Sequence, residues 1–295
     1  NHVSAESQWF QGYLRQQEKY KDFFIELDPQ EDVSSVTRPR THKLAVPFNT
    51  VQGKKYVWAT FSEDQIDLNF GNPDVLIEMI EVLLFYVRKG GRFIRLDAVG
   101  FLWKRLGTSC IHLNETHEII KIMHDILEVV APQVVLITET NVPEKENLSY
   151  FGDGDEAHMV YQFSLPPLLL HALHRGTSKY LREWADRLPH PPAGCTYLNF
   201  STSHDGIGLR PAEGLLPVEE IKDLVDAVCE YGGKISMKAD RDGNSSPYEM
   251  NISLFDALMG FNKHKDQWQI PRFICSQTLL LALQGIPAIY IHSLT

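Results

Sequence analysis

The chain has 295 residues, of which 43% are apolar and 22% charged, and its formal net charge is −10. This composition is typical of a globular protein with one large domain or two small ones. The acidic balance argues against sequence-independent binding to nucleic acid, which needs a cationic surface. The four cysteines are far apart and show neither disulfide nor metal-binding spacing, and the first residues do not resemble a signal peptide. Both observations favour a reducing, cytoplasmic location.

Helix and strand signals alternate along the chain. Asn72 and Pro73 supply a cap and a first-turn proline for one helix, and Gly90 ends it. Helices are expected at 72–89, 114–130, 167–174, 179–188, 218–231, 253–260 and 271–284, and strands at 56–61, 93–97, 134–138, 159–163, 197–200 and 288–292. This alternation predicts a parallel sheet with helices packed outside it. Segment 206–250 is irregular apart from its helix, and such an insertion is usually functional or a subdomain.

One apolar run, 273–292, is nearly long enough to cross a bilayer. Polar and helix-breaking residues interrupt it, namely Gln277, Gln284, Gly285 and Pro287. We therefore expect a buried helix at 271–284, a break, and then a strand, with no membrane partner.

Charged residues stand where the first of the predicted barrel strands ends. Arg95 lies inside the apolar strand 93–97, and Asp97 stands at its C-terminal end. A charged side chain is rarely buried unless it is paired. An Arg beside an Asp keeps the carboxylate ionised and fixes its rotamer, which a nucleophilic carboxylate requires. A structural ion pair at a strand end is the alternative interpretation.

Two further carboxylates follow separate strands, Glu139 after 134–138 and Asp205 after 197–200. In a (β/α) barrel the C-terminal ends of the strands converge on one face, where the active site lies. Two carboxylates at a suitable separation are the apparatus of glycoside cleavage. Three carboxylates could instead bind a metal, but Arg95 would then compete with the ion. No metal and no cofactor are therefore expected.

Three segments carry a resemblance to the α-amylase superfamily: Phe-Ile-Arg-Leu-Asp-Ala-Val-Gly-Phe (93–101), Leu-Ile-Thr-Glu-Thr (136–140) and Thr-Ser-His-Asp-Gly (202–206). A fourth signature of that family ends in Asn-His after the third barrel strand, and this chain begins with Asn1-His2. The resemblance implies an α/β fold, an incomplete (β/α)8 TIM barrel that lacks strands 1–2 and most of strand 3. It also implies an irregular B-domain-like insertion at 1–65, a catalytic barrel portion at 66–295 and a loop subdomain at 206–250.

Other segments resemble the sucrose phosphorylase branch of that superfamily, among them Gly-Thr-Ser-Cys (107–110) and Leu-Pro-Pro-Leu-Leu-Leu-His-Ala-Leu (165–173). Within the branch, Thr-Glu-Thr-Asn-Val-Pro (138–143) and Ser-Pro-Tyr-Glu-Met-Asn (246–251) are similar to the phosphorylases that act on glucosylglycerate. Phe101 stands where a Tyr is common in sucrose phosphorylases, and this difference supports the similarity to phosphorylases that act on glucosylglycerate. The acceptor assignment rests on loops.

The resemblance implies a retaining glycoside phosphorylase, a hexosyltransferase that moves a glucosyl group from an α-glucoside to phosphate by double displacement. Asp97 would be the nucleophile, Glu139 the proton donor, initially protonated, and Asp205 the residue that steadies the sugar and its transition state. The resemblance also implies a set of substrate-binding residues: His2, Arg95, Phe101, His204 and Tyr248.

Phosphate is an anion that must enter a pocket of carboxylates, so a local cation is required. Arg40, in Arg-Pro-Arg, matches the phosphate-binding arginine of sucrose phosphorylases. Lys238, Arg241 and Tyr248 resemble the mobile acceptor loop of that branch. The expected partners are a small sugar substrate and inorganic phosphate, and the oligomeric state is left open. The alternatives are an α-glucoside hydrolase or transglucosidase of the same superfamily, or a non-catalytic protein of this fold.

Overall fold

The fold is known from a computed structural model, which describes residues 1–239, 245–259 and 266–294. Contacts divide the chain into two compact units, Asn1–Glu139 with Met237–Ser246, and Thr140–Ser236 with Pro247–Thr295. The domain boundary that we predict after residue 65 is a different division, and it stays a prediction. In the described part of the chain, no helix is long and apolar enough to span a membrane.

The first unit contains six strands and three α-helices among its described residues 1–139. Its elements in chain order are β1 (His2–Ser4), α1 (Gln8–Leu14), β2 (Ala45–Thr50), β3 (Gly53–Trp58), β4 (Gln65–Asp67), α2 (Pro73–Arg88), β5 (Phe93–Leu96), α3 (Asn114–Val130) and β6 (Val135–Thr138). A small core of this unit is formed by Leu27, Val36, Leu44, Trp58 and Cys110.

The two long helices of the first unit, α2 and α3, lie where the sequence signals place them, whereas the short helix α1 was not predicted. The Asn72 side chain accepts a hydrogen bond from the backbone N–H of Asp74 (3.0 Å), and Pro73 opens α2. Gly90 follows the helix with a φ of +94°, a conformation that glycine adopts without steric cost. The predicted helix at 114–130 is confirmed as α3, and Leu113, the residue before it, makes no side-chain capping hydrogen bond.

Strand pairing in the first unit sets the positions of the charged strand ends. β5 and β6 are parallel, and their register runs from Phe93 opposite Val135 to Leu96 opposite Thr138. β1 and β4 are antiparallel, with His2 opposite Asp67. The hairpin of β2 and β3 pairs Ala45 with Trp58, so the strand expected at 56–61 begins and ends earlier and has a partner that the pattern did not reveal.

The second unit carries the later strands and most of the helices. Its elements are α4 (Glu144–Leu148), β7 (Met159–Tyr161), α5 (Leu165–Arg175), α6 (Lys179–Arg187), β8 (Thr196–Phe200), β9 (Ile207–Gly208), α7 (Val218–Glu230), β10 (Lys234–Ala239), β11 (Ser245–Asn251), α8 (Leu254–Ala257), α9 (Gln269–Ala282) and β12 (Ile286–Ala288). The ends of β10 and β11 around 237–246 are grouped with the first unit.

A parallel arrangement of β7, β8 and β12 lies in the second unit, with β8 paired to both of the others. An apolar core built largely from helices α5 to α9 packs in the same unit, and it includes Leu169, Trp184 and Leu280. Burial of these apolar side chains, at about 25 cal/mol per Å² of apolar surface, is the main stabilising contribution.

Two expectations about the second unit are wrong. The last strand, expected at 288–292, is β12 at Ile286–Ala288, because these three residues pair with β8. A 3-10 turn covers Ile291–Ser293. Segment 206–250 is also less irregular than expected. β9 and β11 pair antiparallel within it, with Glu249 opposite Gly208. Neither pairing is visible in local sequence periodicity, because each joins residues more than 40 positions apart.

Candidate active site

The ends of β5 and β6 bring two carboxylates side by side. Leu96 pairs with Thr138, so the next residues, Asp97 and Glu139, leave the two parallel strands at the same edge. The Glu139 backbone N–H donates to the Leu96 carbonyl oxygen (3.1 Å), which continues the strand pairing by one residue. The strand-end convergence predicted from the sequence is therefore present for this pair.

Arg95 faces both carboxylates. Its Nη1 donates to Asp97 Oδ1 at 2.6 Å, and its Nη2 lies 3.9 Å from Glu139 Oε2. The planar guanidinium suits this arrangement, since its N–H groups can face two acceptors at once. The Asp97 side chain is 53% exposed, whereas that of Glu139 is 15% exposed.

Ala98 adds a backbone contact to this site. Its φ is +48°, the left-handed region that non-glycine residues rarely adopt and that costs about 1–2 kcal/mol. In this conformation the Ala98 N–H donates to Glu139 Oε2 at 2.9 Å. The turn after Asp97 thus orients the carboxyl group of Glu139, and the strain is located at the site.

Two further predicted residues of the first unit are connected through an aromatic ring. Phe61 makes an edge contact with Phe101 (centroids 5.3 Å apart) and a tilted contact with His2 (5.6 Å). Phe101 is buried. Burial of the His2 ring lowers its pKa, which favours the neutral form. The Gln65 amide Nε2 and His2 Nε2 lie 2.8 Å apart, which fits a neutral ring accepting at that nitrogen.

An open cavity of about 250 Å³ in the first unit adjoins these groups. Its lining includes His2, Arg95 and Asp97, and apolar side chains of α2 and β5 make up most of the rest. Asp97 therefore borders this cavity together with Arg95 and His2.

The second unit holds Asp205 and His204 in the loop after β8. His204 Nε2 lies 3.3 Å from Asp205 Oδ2, both side chains are more than half exposed, and the Asp205 N–H donates to Ser203 Oγ (3.1 Å). Gly206 packs so closely that a Cβ there would lie 3.0 Å from the Met250 carbonyl oxygen. Close packing against β11 therefore fixes the end of the loop that presents Asp205.

The predicted phosphate and acceptor residues occupy less regular positions. Arg40 is half-buried in the segment between α1 and β2, and its Nη1 donates to the Pro39 carbonyl oxygen (3.2 Å). Tyr248 is buried in β11, where its carbonyl oxygen accepts from the Leu209 N–H (3.0 Å). Arg241 lies outside the described residues. The roles of Arg40, Tyr248 and Lys238 stay predictions.

Sequence reasoning missed two features of the first unit. One is the Ala98 backbone N–H, for which the side-chain sequence carries no signal. The other is a buried ion pair between Asp67 and Lys104. Its sequence signal is weak: Asp67 stands between Ile66 and Leu68, and Lys104 follows the apolar run Phe-Leu-Trp (101–103).

Replacing Arg95 by Lys tests the bridging geometry. Lysine keeps the positive charge but presents a single ammonium group, which cannot align with both carboxylates as a planar fork does. We expect the rate of the covalent step predicted for Asp97 to fall roughly 10- to 100-fold in the full-length protein, the effect of losing about 1.5–3 kcal/mol of charge-assisted hydrogen bonding. Rapid-quench kinetics measures this rate. The exposed neighbour Arg92→Lys is the matched control, and an unchanged rate in Arg95→Lys would show that the fork is not needed.

The chain is similar to known proteins both in sequence and in fold. A sequence profile described as "Alpha amylase, catalytic domain" matches residues 1–185. The chain is 52% identical over 296 residues to glucosylglycerate phosphorylase of Escherichia coli (strain K12), covering 100% of this chain and 53% of that protein. It is 50% identical over 295 residues to glucosylglycerate phosphorylase of Spirochaeta thermophila, covering 100% of this chain and 50% of that protein. The chain thus spans about half the length of these curated relatives.

The fold is similar to a solved structure as well. The crystal structure of sucrose 6F-phosphate phosphorylase from Thermoanaerobacter thermosaccharolyticum matches with a TM-score of 0.83 and 23% sequence identity. The match covers 99% of this chain and 60% of that one. At this identity the likeness concerns the fold alone.

Proposed function

Because the chain belongs to the alpha-amylase family, we propose that its active site transfers a glucosyl group from an α-glucoside to inorganic phosphate with retention of configuration. The family match confirms the predicted fold class, a (β/α) barrel. The observation that carries the proposal is the Arg95 guanidinium facing both Asp97 and Glu139, with Asp97 bordering the cavity. Such a pair of carboxylates supplies a nucleophile and a proton donor.

The substrate class is supported by the relatives. Proteins with 50–52% identity across the whole chain are glucosylglycerate phosphorylases. Glucosylglycerate is therefore the proposed glucosyl donor, and glycerate the leaving acceptor. Because the chain spans about half of those proteins, the activity belongs to the longer polypeptide, and the assays below use the full-length protein. A cytoplasmic location is part of the proposal, supported by four cysteines that are all free thiols.

In the proposed first step, a carboxylate oxygen of Asp97 attacks the anomeric carbon of the donor sugar. The bond to the glycosidic oxygen breaks, and Glu139 gives that oxygen its proton, so that glycerate leaves with its hydroxyl group restored. Glu139 Oε2 accepts from the Ala98 N–H and faces Arg95, and both contacts hold the carboxyl group in place. The product of this step is a β-glucosyl ester of Asp97.

In the proposed second step, a phosphate oxygen attacks the same carbon from the face that glycerate left. Its proton passes to the Glu139 carboxylate, and the ester bond to Asp97 breaks to give α-glucose 1-phosphate. Two inversions make the overall reaction retaining. Retention through a covalent intermediate requires carboxyl groups about 5–5.5 Å apart, rather than the roughly 6.5–9.5 Å of inverting enzymes. We expect Asp97 and Glu139 to meet this requirement in the ligand-bound enzyme.

The direct test is an assay of the full-length protein with glucosylglycerate in the presence and absence of phosphate. The proposal predicts phosphate-dependent release of glucose 1-phosphate. Release of free glucose at the same rate with and without phosphate would identify a hydrolase, and transfer to a second sugar would identify a transglucosidase. Absence of any turnover of α-glucosides would favour a non-catalytic protein, although Asp97, Glu139 and Asp205 are all retained.

Replacing Arg40 by Ala should separate phosphorolysis from hydrolysis. Phosphate needs a positioned cation in a site that carries carboxylates, and loss of a charge-assisted pair costs about 1.5–3 kcal/mol. The apparent Michaelis constant for phosphate should therefore rise roughly 10- to 100-fold. Formation of the glucosyl enzyme should change much less, because phosphate acts only in the second step.

The products provide the second readout for Arg40→Ala. Water should compete better for the glucosyl enzyme, so the ratio of glucose to glucose 1-phosphate should rise. Arg40→Lys is the control, since it keeps the charge and loses only the planar fork. Unchanged phosphate dependence in Arg40→Ala would require the phosphate site to be reassigned, with Lys238 and Arg241 as the next candidates.

A further inference from the structure

A buried ion pair lies beside the candidate site in the first unit. Lys104 Nζ is 2.7 Å from Asp67 Oδ2, and the two side chains are 3% and 0% exposed. Desolvating two charges is costly, and a hydrophobic pair of similar volume is often at least as stable. Stability alone is therefore a weak reason for this pair, and its hydrogen bonds show which segments it holds in place.

The hydrogen bonds of Asp67 tie it to the end of the β2–β3 hairpin and to the first residue of the chain. Its Oδ1 accepts from the Thr60 N–H (2.9 Å), and its Oδ2 accepts from Thr60 Oγ1 (2.6 Å) and from the Asn1 side-chain amide (3.2 Å). Each carboxylate oxygen is thus engaged by directed donors. A fully satisfied buried network of this kind is rigid.

The Lys104 ammonium group completes the network with three acceptors. Besides Asp67 Oδ2, it donates to Asn1 Oδ1 (3.2 Å) and to the carbonyl oxygen of Phe101. An ammonium group has three N–H donors, and these acceptors use all of them. Lys104 therefore links the strand that contains Asp67 to the turn that follows Asp97.

Both ends of this link carry predicted sugar-binding residues. His2 stands directly opposite Asp67 in the β1–β4 pairing, and Phe101 ends the 3-10 turn Val99–Phe101, which begins after the strained Ala98. Phe61 contacts the rings of both His2 and Phe101. The buried pair and the ring of Phe61 thus join the same two segments from different sides.

We propose that Asp67 and Lys104 are positioning residues, which hold His2 and the Ala98–Phe101 turn in the geometry needed for attack by Asp97. The proposal rests on the glucosyl-transfer function inferred above and extends it to two residues that do not touch the substrate. The turn orients Glu139 through the Ala98 N–H, so a shift of the Phe101 carbonyl would misplace the proton donor as well. Misplacement by about 1 Å can cost roughly 100-fold in rate.

The test uses the full-length protein with Asp67→Asn, Lys104→Met and the double variant Asp67→Asn/Lys104→Met. Each single change leaves one buried charge unpaired, so both singles should lower the melting temperature. The double variant removes both charges and should regain most of that loss. Its kcat/KM for glucosylation by an activated α-glucosyl donor should nevertheless stay roughly 10- to 100-fold below wild type, while its Michaelis constant for phosphate should be unchanged.

A neighbouring surface pair supplies the matched control. Arg105 Nη1 lies 2.6 Å from Glu115 Oε1, and the two side chains are 55% and 32% exposed. The double variant Arg105→Met/Glu115→Gln should leave the glucosylation rate unchanged. If the Lys104 variants do not fold, Thr60→Val gives a second test that keeps both charges. It removes the hydrogen bond from Thr60 Oγ1 to Asp67 and the one that Oγ1 accepts from Trp58 Nε1. It should lower kcat/KM for the donor roughly threefold to tenfold.

Full glucosylation activity in a folded double variant would overturn the positioning role, and so would unchanged activity in Thr60→Val where the double variant does not fold. Glucosylation precedes the phosphate step and is common to phosphorylases and hydrolases. A wild-type protein that forms the glucosyl enzyme but releases no glucose 1-phosphate would therefore refute the proposed function while leaving the positioning test intact.

Discussion

Asp97→Asn in the full-length protein should abolish both phosphorolysis and hydrolysis. Both products pass through the glucosyl ester of Asp97, and an amide at this position cannot attack the anomeric carbon. Removal of a covalent nucleophile typically lowers kcat by about 10⁴–10⁶-fold. The release of glucose and of glucose 1-phosphate, each measured over hours at high enzyme concentration, should both fall by this factor.

Two controls separate loss of chemistry from loss of structure in Asp97→Asn. The substitution is nearly isosteric, and an amide oxygen can still accept from Arg95 Nη1, so the melting temperature should stay close to that of wild type. Asp125→Asn, an exposed change on α3, should keep full activity. More than about 1% residual activity in Asp97→Asn would contradict the nucleophile assignment, because nucleophile removal leaves far less.

Glu139→Gln should separate substrates by their need for a proton. Glycerate leaves as an alcohol and needs protonation, and general acid catalysis contributes about 10²–10⁴-fold. With glucosylglycerate the rate of glucosylation should fall by that factor. With α-glucosyl fluoride the fall should be less than about tenfold, because fluoride leaves as an anion and needs little protonation by a general acid.

The structure of Glu139→Gln should be preserved, because a glutamine amide oxygen can accept the Ala98 N–H as the carboxylate does. The matched control is Glu118→Gln, whose exposed carboxyl group lies on α3. Equal losses with both donors would contradict the proton-donor role, since a general positioning defect would not distinguish the leaving groups.

Local signals in the sequence were sufficient for many elements. The helix α2 could be predicted because its start and stop signals, Asn72, Pro73 and Gly90, act within a few residues of the backbone groups that they satisfy. The adjacency of Asp97 and Glu139 could be predicted because parallel strands end at one edge. In both cases the deciding interactions are short in sequence or follow from a general rule of sheet geometry.

Features that depend on particular long-range contacts could not be predicted. The strand β12 lies earlier than expected because pairing with β8 decides its position, and the apolar pattern of 286–292 does not. The left-handed conformation of Ala98 accompanies a hydrogen bond to a residue 41 positions away. The Asp67–Lys104 pair joins residues from β4 and from the turn after β5. A single sequence shows the charges but not their partners.

The central claim is that glucosyl transfer to phosphate proceeds through Asp97 with retention. The most direct measurement is NMR of the product formed in the first minutes, when the full-length enzyme acts on glucosylglycerate and phosphate. The account predicts that α-glucose 1-phosphate is the initial anomer and that its formation ceases in Asp97→Asn. Initial formation of β-glucose 1-phosphate would show a single displacement and would contradict the account.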